Sequence, residues 1–253
     1  MGISSKPDET SQPPVFVLVH GAFHGGWCWG RVVRRLSVKG ARVFAPSQTG
    51  LGDRAHLMSA SIEMETFVND ITNLIESEEL EDVVLVGHSF GGRTVVGVAD
   101  RMPDRLQRLV FLDGGFSLDG RSRLDALTPD ARAARIAQAN DFDGGVSVAP
   151  PQATKFGLTA AVDIAWVQRR MTPQPLGVET SSLPFNEDIG NGVPSTYVHS
   201  VSPSFAAVDG PAAYAEARSD WRYLEIDAPH DSMVATPEVV AEVLLHEAAC
   251  GAP

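Results

Sequence analysis

Short apolar and β-branched runs alternate along the chain with segments whose apolar residues recur at helical spacing. In the first half of the chain, four such runs predict buried strands, at 15–19, 42–45, 83–86 and 109–112. Between the second and third runs, one face of a predicted helix carries Met64, Phe67, Val68, Ile71, Leu74 and Ile75. This alternation is typical of an α/β fold with a mostly parallel central sheet and helices on both faces.

The alternation breaks in the middle of the chain. No clear strand is visible from 116 to 191, where two helices are predicted instead. One helix begins with Thr128 as N-cap and Pro129 as first residue, and the other occupies 160–171. We expect this segment to be a helical insertion over the sheet, forming a cap or lid.

The alternation resumes with predicted strands at 195–198 and 221–226. Thr236-Pro237 then opens a last helix, whose inward face is predicted to carry Val239, Val240, Val243 and Leu244. The chain is thus divided into a flexible leader at 1–14, a core made of 15–115 and 192–253, and a cap at 116–191.

Composition restricts the partners and the compartment. The formal net charge of −12 disfavours nucleic acid and anionic membranes, because both are bound through basic patches. No apolar run is long enough to span a membrane, and the leader has no secretory core. The only cysteines, Cys28 and Cys250, favour a reducing cytoplasm without disulfides. The pattern does not decide between a monomer and a homodimer.

The candidate chemistry begins at Ser89, which stands between Gly87 and Gly91 where a predicted strand passes into a helix. This is the G-x-S-x-G pattern of a nucleophile elbow, in its required strand–turn–helix context. Such a turn holds its serine in a strained backbone conformation and projects the hydroxyl above the sheet. We therefore predict Ser89 as a nucleophile.

A serine hydroxyl needs a base, and its reaction needs donors for an oxyanion. His230 follows the last predicted strand, at the sheet edge where the serine is expected, and is the predicted base. The amides of Phe90 and Ala22 are the predicted oxyanion donors. His20 and His24 lack a further ligand set with metal-binding spacing, so we expect neither a metal nor a cofactor.

Several segments together resemble a known superfamily. HGAFHGGWCWGRVV, at 20–33, resembles the small α/β-hydrolases that include plant methylesterases and hydroxynitrile lyases. Three further segments are similar to bacterial pyrethroid-hydrolase-type esterases: TGLGDRAHL, VVLVGHSFGG and PHDSM. The cap segment AWVQRRMTPQP resembles the same bacterial branch. The resemblance implies an α/β-hydrolase fold and a Ser-His-acid triad.

The same resemblance implies a triad aspartate just after strand 195–198, but Pro203 and Ser204 stand there. Another carboxylate must therefore orient His230. We favour Asp113, which ends the strand next in sequence after the one bearing Ser89, as in dehalogenase-like members of the superfamily. The other candidates are Asp209, which also suits a helix N-cap, and then Asp231 and Asp227.

The resemblance and the apolar residues of the cap suggest a hydrophobic, aromatic or polyketide-like carboxylic ester or lactone as substrate. Phe23, Trp166 and Met171 are the predicted substrate contacts. The neighbouring pair Arg169-Arg170 is better explained as solvated helix charge than as a carboxylate site.

Two other functions remain open. One is cofactor-free lyase or C–C bond and polyketide-ring chemistry on the same fold, and the other is a small-molecule receptor with a weak triad. Hydroxynitrile lyase chemistry is disfavoured because the resemblance would require a lysine at Asp231 and a threonine at Gly21. Ester hydrolysis is therefore preferred.

Overall fold

The computed structural model describes residues 13–250, so all but the last two residues of the predicted leader at 1–14 lie outside the described part of the chain. The strands are β1 (Val15–Val19), β2 (Arg42–Phe44), β3 (Val83–His88), β4 (Leu106–Leu112), β5 (Ser147–Val148), β6 (Gln174–Pro175), β7 (Ser195–Ser200) and β8 (Trp221–Ile226). The helices are α1 (Gly30–Val38), α2 (Met64–Ser77), α3 (Gly91–Arg101), α4 (Pro129–Asp143), α5 (Ala161–Gln168), α6 (Leu176–Thr180), α7 (Asp209–Glu216), α8 (Ser232–Ala235) and α9 (Pro237–Ala249).

Six strands form one parallel sheet in the order β2-β1-β3-β4-β7-β8. The predicted α/β architecture is confirmed, and every predicted strand is present. The strands β3, β4 and β7 are two or three residues longer than predicted, and β2 is one residue shorter. Because all six strands run in the same direction, their carboxyl ends meet at one edge. Loops after β1, β3, β4, β7 and β8 are therefore brought together there.

Two apolar layers cover the faces of this sheet. In β1, Phe16 and Leu18 point to the layer formed with α1 and α9, whereas Val17 and Val19 point to the layer formed with α2 and α3. All four side chains are buried, as the two-residue period of a strand between two helical layers requires.

The inward face of α9 differs from the predicted one in a single position. Val240 and Leu244 are buried as expected, but Val239 is 37% exposed and Ala241 takes its place in the core. The reason is that the inward stripe continues to Glu247, whose carboxylate accepts a hydrogen bond from Thr196 at 2.6 Å.

The segment between β4 and β7 contains α4, α5 and α6. Thr128 caps α4 as predicted, accepting a hydrogen bond from the Ala131 amide. The expectation of no strand is wrong in one detail, since β5 and β6 pair antiparallel in a small separate sheet. Two residues per strand are too few to produce a visible period. Among residues 13–250, no helix has the length and apolarity needed to cross a bilayer.

The loop after β1 crosses the end of β2 with almost no space between the two backbones. A Cβ on Gly26 would lie 1.9 Å from the Ala45 carbonyl oxygen, while one on Gly30 would meet nothing within 4 Å. We expect Gly26→Ala to lower the free energy of unfolding by about 3 kcal/mol, because backbone must move to admit the methyl group.

Gly30→Ala is the matched control, four residues along the same segment. It places alanine at an exposed helical position and is expected to raise stability slightly, by up to about 1 kcal/mol. Urea unfolding of both variants measures the difference. Equal stability of the two would contradict the close approach of these backbones.

Candidate active site

Ser89 occupies the turn between β3 and α3 with φ at 50°, in the left-handed region. A Cβ on Gly87 would lie 2.6 Å from the Val95 side chain, and one on Gly91 would lie 2.7 Å from the His20 carbonyl oxygen. Glycine at both positions therefore lets strand, turn and helix approach closely enough to form the elbow. The partly exposed serine lines a cavity above the sheet.

Asp113 follows β4 and is fully buried. Its φ is also positive, at 46°, and its amide donates to the Val198 carbonyl oxygen at 2.8 Å. This turn directs the carboxylate towards β7 and the loop after β8. Oδ1 accepts the Ser200 amide at 2.7 Å, and Oδ2 lies 2.8 Å from His230 Nδ1. One oxygen thus holds the loop and the other holds the imidazole.

The imidazole of His230 is 1% exposed and has two different edges. Nδ1 faces Asp113 and therefore carries a proton, which leaves Nε2 as the basic nitrogen. Nε2 has no hydrogen-bond partner within residues 13–250, Ser89 included. Such hydrogen bonds are often long in enzymes without bound substrate. Phe205 stacks on the ring at a centroid distance of 4.0 Å and shields it from water.

Two backbone amides beside the cavity are unpaired. Neither the Ala22 nor the Phe90 N–H donates a hydrogen bond to any described residue, and both residues line the cavity. A Cβ on Gly21 would lie 2.8 Å from the Ser89 Cβ, so the glycine lets this loop touch the elbow. The arrangement is suited to binding an anionic oxygen next to Ser89.

The other carboxylates considered as partners of His230 lie elsewhere. Asp209 is exposed in the first turn of α7, whose N-cap is Val208, so the N-cap expectation for Asp209 is corrected as well. Asp227 is exposed at the end of β8. Asp231 is buried but directed away from the Asp113 side, to His24 at 3.2 Å. Among described carboxylates, only Asp113 bonds to the imidazole of His230.

Behind the candidate site, His24 and Asp231 form a buried ion pair. His24 Nδ1 donates to the Ala22 carbonyl oxygen at 2.8 Å and Nε2 faces the Asp231 carboxylate, so both ring nitrogens meet acceptors. Burial opposes the charged imidazole, but Asp231 outweighs it and the pKa of His24 is raised. Burial likewise opposes the charged carboxylate of Asp231, but the charge and hydrogen bond of His24 outweigh this effect. The pKa of Asp231 is therefore lowered.

Two further buried histidines remain neutral. Burial lowers the pKa of His88 far below its usual range, and the ring donates from Nε2 to the His230 carbonyl oxygen at 3.0 Å. Burial also lowers the pKa of His20 to about 4, and its Nε2 accepts the Gln48 amide at 3.0 Å. His20 and His88 therefore fix backbone positions on either side of Ser89.

A cavity of about 340 Å³ opens above Ser89. Of the predicted contacts, Phe23 lines it, but Trp166 and Met171 do not, and that expectation is corrected. Trp166 packs edge-on against Trp27 at 5.1 Å, and Met171 is buried in the core layer of α1 and α9. Helical spacing does not show which apolar side chains of the 116–191 segment face the cavity and which face the core.

Most residues of the cavity wall were not predicted from the sequence. Phe205 comes from the loop after β7, the loop that lacks the expected aspartate. Arg93, one turn into α3, and Glu179 of α6 also line the cavity. The four-residue interval from Ser89 to Arg93, which places both on one side of the elbow helix, was the signal available for the arginine.

The chain is similar in sequence to known hydrolases. The chain matches the alpha/beta hydrolase family over residues 16–243. A carbendazim hydrolyzing esterase from Nocardioides sp. (strain SG-4G) is 36% identical over 243 residues, covering 90% of this chain and 97% of that protein. A pyrethroid hydrolase from Sphingobium wenxiniae is 33% identical over 106 residues, covering 41% of this chain and 37% of that protein.

A solved structure is similar over nearly the whole chain. It is an extracellular α/β-hydrolase from a Paenibacillus species, described as sharing structural and functional homology with tobacco salicylic acid binding protein 2. Its TM-score is 0.76 at 22% identity, and the match covers 94% of this chain and 100% of that one. The predicted fold and the predicted resemblance are confirmed.

The buried pair of His24 and Asp231 should make the stability of the fold depend on pH. A raised pKa for His24 stabilises the fold fully below pH 6.5, the ordinary value, and this contribution is lost as pH rises through the folded pKa. A lowered pKa for Asp231 stabilises the fold above pH 3.8 and is lost as pH falls. We expect Asp231→Asn to cost about 3 kcal/mol between these values and less at higher pH.

Chemical unfolding of wild type and Asp231→Asn across this range measures the difference. The control is His56→Gln, which changes an exposed histidine outside the pair and should leave the pH dependence unaltered. A difference between wild type and Asp231→Asn that stays constant with pH would contradict a protonated His24.

Proposed function

This chain belongs to the alpha/beta hydrolase family, and on that premise we propose that it is a serine esterase. It cleaves a hydrophobic carboxylic ester or lactone through an acyl-enzyme on Ser89. The observation that carries the proposal is the 2.8 Å hydrogen bond between Asp113 Oδ2 and His230 Nδ1, with Nε2 left unpaired. An imidazole held in this way is a general base for a neighbouring hydroxyl.

In the proposed reaction, His230 Nε2 takes the proton of Ser89 as the hydroxyl oxygen attacks the ester carbonyl. The negative oxygen of the tetrahedral intermediate accepts hydrogen bonds from the Ala22 and Phe90 amides. His230 then gives its proton to the departing alcohol oxygen. In the second half, it deprotonates a water molecule, which attacks the acyl-enzyme and releases the carboxylic acid and free Ser89.

Asp113 serves as the triad acid in this proposal, in place of a residue after β7. Its Oδ2 keeps the proton of His230 on Nδ1 and stabilises the imidazolium that forms during attack. Its Oδ1 is bound by the Ser200 amide, so the carboxylate cannot rotate away. The acid and its supporting backbone come from adjacent strands, which fixes their separation.

The proposed substrate enters the cavity between the core and the 116–191 segment, which we propose acts as a cap. The lining near the serine is mostly apolar, including Phe23, Phe156 and Phe205. A volume of about 340 Å³ suits a small ligand rather than a long acyl chain. No cofactor takes part in the proposed reaction.

We further propose that the protein is located in the cytoplasm, in keeping with its two free cysteines.

Ser89→Ala tests the covalent mechanism. On a panel of aryl esters, we expect kcat to fall by roughly 10⁵-fold, because the attacking oxygen is lost while the amides and the cavity remain. A fluorophosphonate should label wild type at Ser89 in intact-protein and peptide mass spectrometry, and should not label the variant. Full turnover by Ser89→Ala on the best ester would exclude an acyl-enzyme.

Asp113→Asn tests the assignment of the acid. Asparagine keeps Oδ1 for the Ser200 amide but presents N–H groups to His230, which forces the wrong imidazole tautomer. We expect kcat to fall by about 10⁴-fold with little change in folding stability. Asp209→Asn, at the exposed alternative, should stay within about 3-fold of wild type. If kcat instead falls strongly in Asp209→Asn and stays near wild type in Asp113→Asn, the triad acid is Asp209.

A further inference from the structure

One wall of the cavity is cationic, although the chain as a whole has a net charge of −12. Three arginines and one glutamate line it: Arg93, Arg123, Arg135 and Glu179. They come from α3, from the loop after β4, from α4 and from α6, so the wall joins the core to the cap segment. Charged side chains in a small cavity are costly to bury unless each is paired with an opposite charge.

Glu179 pairs with two of the three arginines. It is 1% exposed and receives Arg135 in a two-bond arrangement, at 2.9 Å from Nε and 2.7 Å from Nη2. Arg123 Nη1 approaches the same carboxylate at 3.3 Å. One buried negative charge is thereby shared between two guanidinium groups, which leaves an excess of one positive charge in this cluster.

Arg93 adds a second excess charge and has no carboxylate partner. It is 7% exposed, its Nη2 donates only to the neutral Arg121 carbonyl oxygen, and its Nε is buried without a hydrogen bond. No described Asp or Glu lies within ion-pair distance of it. Burial and the nearby charge of Arg123 lower the pKa of Arg93 to about 10, against the opposing effect of the more distant carboxylates Asp119 and Asp125, so Arg93 stays charged at neutral pH.

A buried cation without a counterion is unfavourable in a folded protein. Structural arginines are expected to find a carboxylate, as Arg135 does. Arg93 instead lies in the lining of the cavity that Ser89 lines, four residues along the chain from the serine. The unpaired charge of buried Arg93 lowers the stability of the fold. An anion bound in the cavity would supply the missing counterion and remove that cost.

We propose that the cavity holds an anionic subsite, centred on Arg93 with Arg123 beside it, which binds a carboxylate on the part of the ester that points away from Ser89. This inference rests on the proposed function, since it specifies the substrate of the same site. The substrate class is then the half-ester of a dicarboxylic acid, or an ester of equivalent shape with one free carboxylate. The apolar lining accommodates the carbon skeleton between the two ends.

The pair Arg169-Arg170 does not serve this purpose. Arg170 lies over the Trp166 ring at 4.7 Å, and Arg169 donates to the Ala165 carbonyl oxygen within its own helix. Neither lines the cavity. Placement beside the cavity, rather than the presence of neighbouring basic residues in the sequence, identifies the subsite.

The test compares two series of methyl esters of equal size. One series is the monomethyl half-esters of straight dicarboxylic acids from succinate to suberate, and the other carries a neutral amide in place of each free carboxylate. The measured quantity is the ratio of kcat/KM for the half-ester to that for its amide. We expect the ratio for wild type to exceed 1 by about 10-fold or more at the best chain length.

Arg93→Met keeps the volume and removes the charge, and we expect it to lower the ratio by about 10-fold, to near 1, the effect of losing a hydrogen bond to a charged group. Arg93→Lys should recover most of the ratio, because it restores the charge. Arg34→Gln removes an exposed arginine of α1 as the matched control and should leave the ratio unchanged. An unchanged ratio in Arg93→Met, or a preference of wild type for the amides, would overturn the subsite.

A binding measurement separates this proposal from the esterase proposal. In Ser89→Ala, calorimetry should give tighter binding of the half-ester than of its amide, and the difference should disappear in Ser89→Ala with Arg93→Met. If neither series is hydrolysed by wild type but this binding difference is present, the esterase proposal fails and the subsite stands. If both ligands bind equally, the subsite is wrong even where esters are cleaved.

The salt dependence of wild type supplies a readout that needs no variant. An ion pair between Arg93 and a substrate carboxylate should weaken as salt is raised, whereas binding of the amide should not. The half-ester preference is therefore expected to narrow with ionic strength. A preference that widens as salt is raised would contradict a charge-based subsite.

Discussion

The site depends on loops that meet in van der Waals contact at the carboxyl edge of one parallel sheet. Gly21 brings the loop after β1 against Ser89, and the Ser89 carbonyl oxygen accepts the Gly115 amide at 2.7 Å from the loop after β4. Ser200 at the end of β7 and His230 in the loop after β8 close the group. Because each segment is anchored to a neighbouring strand, a small displacement of one strand end would separate Ser89, His230 and the two unpaired amides together.

The position of the proposed acid, Asp113, shows how strand order can substitute for sequence position. β4 and β7 are adjacent, so the loop that follows either strand reaches the imidazole after β8. With Pro203 and Ser204 after β7, the left-handed turn at Asp113 supplies the carboxylate from the other strand. The end of β7 keeps a supporting role, since the amide of Ser200, its last residue, holds the carboxylate in place. Either strand satisfies the same geometric requirement.

Buried charge is distributed unevenly around this edge. Behind the base, His24 and Asp231 neutralise one another, and His20 and His88 are held neutral by burial. In front of it, the cavity wall keeps two more positive charges than negative ones, in a chain that is acidic overall. A desolvated cation beside the cavity acts on whatever ligand enters, so under the proposed function the local charge, and not the net charge, would govern which substrates are bound.

The sequence by itself determined the six strands of the parallel sheet, the elbow and the place of His230, because alternation, glycine spacing and chain order are local properties that a strand-to-helix turn imposes. It also narrowed the acid to four carboxylates. Only the tertiary structure separated Asp113 from Asp231, and put Arg93 and Phe205 rather than Trp166 in the cavity wall. Those outcomes depend on which side chains face one another across strands and layers far apart in the chain, and side-chain direction there is set by packing, which no local pattern encodes.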